Sequence, residues 1–293
     1  MPRHRSPVLG VDKLEDRYAP ATLVSATKLT YQDADGDNVA VTLSKPILTP
    51  LNVNALFTFS VGSVDGNNAA PQLLETISLG AAAAGTAVTV TATRSPVHGG
   101  DGFAAVGQID ATGVDLGPVT IDGDLGRILA GDPTTATTGL KGLTVQSLGQ
   151  FGTRTGAPDL ASAVMGRLAF LTVRGDVREA SVSALGGADG KIGPVLIGGS
   201  LIGGAGTETG WVFSAGDMGM VTIRGDLSGG SGSRSGRVEA QGKLAGATVG
   251  GSVRGGSGID SGEIICKGDM GMVAIRGDLI GGVAFDAGQV FSR

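Results

Sequence analysis

Residues 221–227 read VTIRGDL, and near copies recur through the second half of the chain: VTIDGDL (119–125), LTVRGDV (171–177), VLIGGSL (195–201), ATVGGSV (247–253) and VAIRGDL (273–279), with a degenerate LTVQSLG at 143–149. The first small residue of each unit is Gly123, Ser147, Gly175, Gly199, Gly225, Gly251 and Gly277, and the separations are 24, 28, 24, 26, 26 and 26. A second arm keeps the 26-residue period: GWVFSA from 210, GRVEAQ from 236, GEIICK from 262 and GQVFSR from 288. Short alternating apolar runs repeated at a fixed period in the twenties are the signature of a solenoid. Leucine-rich repeats share the period but need Leu and Asn positions absent here, and propeller blades need about 40 residues or more. The expected fold is all-β: a parallel β-helix (β-solenoid) of about seven 24–28-residue coils over 106–293, preceded by a small β domain or cap over 22–105. At roughly 4.8 Å per coil the rod would be about 35 Å long.

Stacked coils place equivalent positions above one another, so the columns must make physical sense. One inward column reads Ile121, Val145, Val173, Ile197, Ile223, Val249 and Ile275, all β-branched and suited to a packed pleated wall. Cys266 shares a column with Ser214, Ala240 and Ser292, which predicts a small buried side chain rather than a reactive thiol. Lys191, Asp217, Lys243 and Asp269 fall 26 residues apart, so opposite charges should stack one strand spacing apart. Arg174, Arg224 and Arg276 alternate with Gly198 and Gly250, and Asp176, Asp226 and Asp278 alternate with Ser200 and Ser252. This alternation keeps like charges about two strand spacings, roughly 9.6 Å, apart.

Composition agrees with the repeats. Glycine supplies 53 of 293 residues, far above the ordinary ~7%, and each Gly inside a helix costs roughly 0.5–1 kcal/mol relative to Ala, so a helical bundle is excluded. With 41% hydrophobic residues the chain is not disordered as a whole. A net charge of −5 offers no basic stripe for nucleic acid. The single Cys266 excludes an internal disulfide framework and a multi-Cys zinc site. Residues 1–21 form a basic segment without the apolar h-region of a secretory signal, and no apolar run is long enough to span a membrane. Residues 22–105 contain β-like runs, ATLVSATKLTY, NVAVTLSK, ALFTFSVG, LLETISLG and TAVTVTATR, with AAAAG at 81–85 able to start a helix but read as a loop.

Candidate chemistry is sparse. The turn Asp33-Ala-Asp35-Gly-Asp37-Asn38 supplies three carboxylates at alternate positions, as at the start of an EF-hand loop, but Asn38 stands where that loop needs Gly and Ser44 where it needs a bidentate Glu. Two readings stay open for it: a Ca²⁺ site in a hairpin loop, with Asp33, Asp35 and Asp37 as ligands, or a plain Asp-rich turn. GGSGIDSGE at 255–263 matches the first six positions of the calcium nonapeptide, yet the Asp260 column also holds Glu208, Arg234 and Asp286, and an Arg does not belong in a cation cage. Three RGD triplets follow from the period itself, and the Thr120, Thr144, Thr172, Thr222 and Thr248 column is one residue wide, too narrow for an ice-binding face. His98 lies near Ser95 and Asp101, but a Gly-rich loop is where polar residues sit in any case, and a triad needs its base positioned by a buried acid. No catalytic residue is expected.

Two stretches carry a resemblance. VDKLEDRYAPATL (11–23) resembles the planctomycete extracellular N-terminal motif, through Leu14, Glu15, Asp16 and Arg17 after a basic start. YQDADGDNVAVTLSK, GQIDATGVDLGPVTIDGDLG and the GDMGMVTIRGDLSGGSG units resemble the glycine-rich repeat proteins of the same bacteria. The resemblance implies an extracellular or cell-surface location and no known enzyme activity. The chain stops at Arg293 where the repeat would continue with GDMG, which leaves either a truncated relative or an open end for docking as the expectation. The function expected is that of a non-enzymatic exported solenoid with a structural or adhesive role. Its expected partners are itself, end to end, or other surface proteins. The alternative is a carbohydrate-binding or polysaccharide-cleaving β-helix, hinted at by Trp211 with Phe213.

Overall fold

The computed structural model describes residues 21–61 and 72–293; the basic segment and the LEDR-type motif, up to residue 20, lie outside the described residues. From residue 104 onward every named strand pair is parallel, each strand bonding to its equivalent one coil away, and the chain is a β-solenoid of about seven turns. Cα partners Val119, Leu143, Leu171, Val195, Val221, Ala247 and Val273 stand in register, which reproduces the spacings 24, 28, 24, 26, 26 and 26 read from the repeats.

A regular coil has three short strands, as in Met218–Ile223, Leu227–Ser228 and Arg237–Ala240. The first two are joined by a bend at Arg-Gly-Asp, and the third is reached through a Gly-Ser loop. Gly225 is required at that bend because a side chain there would overlap Ser200 Oγ of the preceding coil. The third side also holds Ala161–Met165, Ser181–Leu185, Trp211–Ser214, Glu263–Cys266 and Gln289–Ser292. Its offsets are 20 and 30 residues before they settle at 26. The inward column behaves as its β-branched residues predict. Ile121, Val145, Val173, Ile197, Ile223 and Val249 are buried, and Ile275 is partly buried. Each such side chain contributes on the order of 1.5–3 kcal/mol of burial.

The cap is built from the runs expected of it. Lys28–Gln32 and Asn38–Leu43 form an antiparallel hairpin through the Asp-rich turn, Val88–Thr93 adds antiparallel to the second strand, and Phe57–Val61 pairs with Gln72–Ser78. ATLVSATKLTY divides into Thr22–Ser25 and Lys28–Gln32 around a tight turn, and Ala81–Ala83 is a 3₁₀ turn rather than a plain loop. Cap and solenoid share one sheet: Gln72–Ser78 pairs parallel with Ala104–Asp110, and Val88–Thr93 pairs parallel with Val119–Ala130. Strand Ala104–Asp110 therefore runs across the expected boundary at 105/106, and the cap's apolar residues Leu29, Val41, Leu74 and Val90 join the solenoid core.

Side-chain ladders run up the coils. Lys191 pairs with Asp217 at 3.9 Å and Lys243 with Asp269 at 2.6 Å, as the alternating column predicts. The Asp/Ser column does more than separate charge. Asp176 Oδ1 accepts the Ser200 N–H at 2.7 Å, Ser200 Oγ accepts the Asp226 N–H at 3.0 Å, Asp226 Oδ1 accepts the Ser252 N–H at 2.7 Å, and Ser252 Oγ accepts the Asp278 N–H at 3.0 Å. Both residue types are acceptors for a backbone N–H of the next coil, so the alternation meets one geometric need with half the charge. Arg174 reaches two coils back to Asp122 at 2.8 Å.

Candidate metal centre and adjoining cleft

Asp33 directly follows the first hairpin strand and folds back on its own turn: its Oδ1 accepts the N–H groups of Gly36 (3.1 Å) and Asp37 (2.7 Å). This Asx geometry follows from a short carboxylate placed before a Gly. A second loop, 95–102, closed by paired backbone hydrogen bonds between Ser95 and Gly99, packs over the turn. Asp35 Oδ2 accepts the Asp101 N–H at 3.1 Å, and Asp37 Oδ2 accepts the Gly102 N–H at 2.6 Å. Gly100 sits against the Asp37 carboxylate, where any side chain would overlap Asp37 Oδ1.

The structure thus brings the three predicted residues together. One oxygen from each of Asp33, Asp35 and Asp37 lies within 4.8 Å of the other two. Asp33 and Asp37 are buried and Asp35 is exposed. Burial, then contact with and charge from Asp35, push the Asp33 carboxyl from its ordinary range up to about 8, against the opposing N–H of Asp37. Burial also raises Asp37, against the Gly102 N–H and with the charges of Asp35 and Asp101. Tyr31 on the same strand is raised by burial and by Asp33. All-oxygen carboxylate donors are the chemistry of a hard divalent cation.

Asp33 and Asp35 also line a cleft of about 490 Å³ between the cap and the first coils, with Asp101, Phe103, Phe151 and Arg154 around it. Phe103 is 45% and Phe151 42% exposed. Buried Asp124 holds the loop carrying Phe151, accepting from Ser147 Oγ (2.7 Å), the Gln150 N–H (3.0 Å) and the Phe151 N–H (3.2 Å). The cleft was not foreseen, because Phe103, Phe151 and Arg154 come from loops outside the repeat.

The remaining candidates resolve differently. Glu208, Arg234, Asp260 and Asp286 all adopt left-handed backbone with φ between +54° and +60°. Arg234 pairs with Glu208 at 2.7 Å and Asp260 with Arg237 at 3.8 Å, a charge ladder rather than a cation cage. Cys266 is buried, its Sγ contacting Gly268 O at 3.0 Å, and burial pushes the thiol up. Trp211 is buried and tilted against Phe213 at 4.6 Å, so its ring is not a free sugar platform. Above it lies a cluster that had gone unread: buried Arg237 Nε stands 3.3 Å from Glu239 and 3.2 Å from Glu263. Its signal was present, since Trp211, Arg237, Glu263 and Gln289 form one 26-residue column. Burial raises Glu263 from 4.5 to about 7, Arg237 opposes this, and Asp260, Asp286 and Glu239 add to it. Comparison of the chain with protein-family models, with curated proteins and with solved structures finds no match. The class is set by the fold alone, a parallel β-solenoid.

Proposed function

We propose that this chain is a non-enzymatic, exported β-solenoid that serves at the cell surface or outside the cell as a structural or adhesive rod. The observation that carries the reading is the side-chain ladder over residues 176–278, in which Asp, Ser and Lys side chains are spent on bonds to the next coil. Such groups fix register, and fixed register is what a rigid spacer needs. The resemblance of residues 11–23 supports the location. Among the described residues no helix is long and apolar enough to cross a membrane, and a secreted or surface-attached rod requires none.

A second reading, carbohydrate binding, is favoured by the cleft, where two exposed phenylalanines flank Asp101 and Arg154. Apolar ring faces with a few polar groups suit a sugar ring. Surface proteolysis of intact cells, followed by detection of the chain, tests the first reading. Cleavage on intact cells supports it, and protection until lysis contradicts it. Incubation of the purified chain with a polysaccharide panel separates the two: retention lost in Phe151→Ala supports binding at the cleft, release of new reducing ends contradicts a non-enzymatic role, and neither leaves the rod as sole function.

A further inference from the structure

We propose that the 33–37 turn and the 95–102 loop together form a calcium site that clamps the cap onto its covering loop. The proposal is independent of the surface role above. Oxygens of Asp33, Asp35 and Asp37 lie within 4.8 Å of one another, the span across an ion that holds its ligands at about 2.4 Å. Crowding of this kind is relieved by a shared proton or by a bound cation, and among the described residues no Lys or Arg comes within 4.0 Å of any of these carboxylates.

The buried groups beside the cluster point the same way. Asp37 is fully buried, yet its Oδ1 accepts no hydrogen bond, while its partner oxygen is held by Gly102. A buried carboxylate oxygen without a donor is costly, and a cation bound there would satisfy it. The Tyr31 hydroxyl, two residues before Asp33 on the same buried face and on a side chain only 7% exposed, is likewise without a partner, as is His98 Nδ1 in the covering loop. Asp33 and Asp35 reach the cleft, so water enters from that side to complete the six to eight oxygens that calcium takes. The carboxylates already bond the covering loop through the N–H groups of Asp101 and Gly102, so an ion on their remaining oxygens stiffens both loops at once.

The test uses the full chain, stripped with a chelator and titrated with CaCl₂ by calorimetry. One saturable site is expected, with the thermal midpoint rising as calcium is added. Asp35→Ala, which removes an exposed ligand and spares the core, should weaken the affinity by about tenfold or more. Terbium provides an independent reading. The chain has two tyrosines, and emission sensitised by Tyr31 should disappear in Tyr31→Phe while the calcium heat remains. Absence of saturable heat at ~10 mM calcium, unchanged affinity in Asp35→Ala, or terbium emission that survives Tyr31→Phe would each overturn the proposal and leave a plain Asp-rich turn.

Discussion

Residues 195–293 and residues 21–194 stack strands on the same core but differ in regularity. In the first region all three sides repeat at 26 residues, and every coil offers the same small set of groups to the next. In the second, offsets of 24, 28 and 24 on one side coexist with 20 and 30 on another, and the slack emerges as a loop that carries Phe151 and Arg154, facing Phe103 at the end of the cap connection. In the strict period the Asp and Ser side chains are taken up by bonds to the neighbouring coil. The broken period produces the cleft, and the cap beside it supplies the carboxylates.

The contrast is sharpest where the regular region breaks its own rule. Arg237 and Glu263 are buried in a column that otherwise holds Trp211 and Gln289, with Glu239 buried beside them in the column of Phe213 and Ile265. Replacing Arg237 with Met should strand two buried carboxylates and cost about 3–5 kcal/mol, read as a fall in the denaturant midpoint. The next effect is on pH. Glu263 holds its proton more tightly folded than unfolded, so its stabilising contribution is complete below pH 4.5 and is lost as pH rises through about 7. That loss amounts to at most about 3 kcal/mol. Glu263→Gln should flatten the stability profile between those limits, and an unaltered profile would place the titration elsewhere.

A smaller effect compares the two regions directly. Asp124 accepts three hydrogen bonds in the irregular region and Asp226 accepts one from Ser252 in the regular one. Asp124→Ala should cost about 2 kcal/mol and shift the backbone resonances around Phe151, whereas Asp226→Ala should cost about 1 kcal/mol with changes confined to the next coil. Equal costs would remove the distinction between anchor and ladder. Smallest of all, Lys243→Ala, which removes an exposed ion pair with Asp269, should leave the thermal midpoint unchanged.

Much of this fold is legible in the sequence because stacking turns a linear period into a spatial column. The anchors from Gly175 to Gly277 have the spacings of the strand register, and the Lys191 to Asp269 column pairs as its signs require, whereas at the degenerate copy a register shift sets Ser147 opposite Asp124 instead of Gly123. The Asp33, Asp35 and Asp37 cluster was legible because a hairpin turn is local. Its covering loop was not, since Asp101 and Gly102 lie more than sixty residues away and meet it only through cap pairing. Phe103 and Phe151 were missed for the same reason, and the burial of Trp211 against Phe213 was not legible because a period alone does not tell which side of a strand faces inward.

Regular coils are interchangeable in pairs, and their columns, rather than any single contact, set the register. Deleting residues 196–247 removes two whole 26-residue coils and joins Val195 to Thr248, so that each downstream position lands on its own column and the charge alternation is kept. Deleting 197–247 instead slips everything downstream by one residue and turns inward side chains outward. Thermal unfolding of the two variants, followed by circular dichroism, is the direct test. The account predicts a β-rich spectrum and a single cooperative transition for the first, and loss of both for the second. Identical melting of the two variants, or failure of the first to fold, would contradict it.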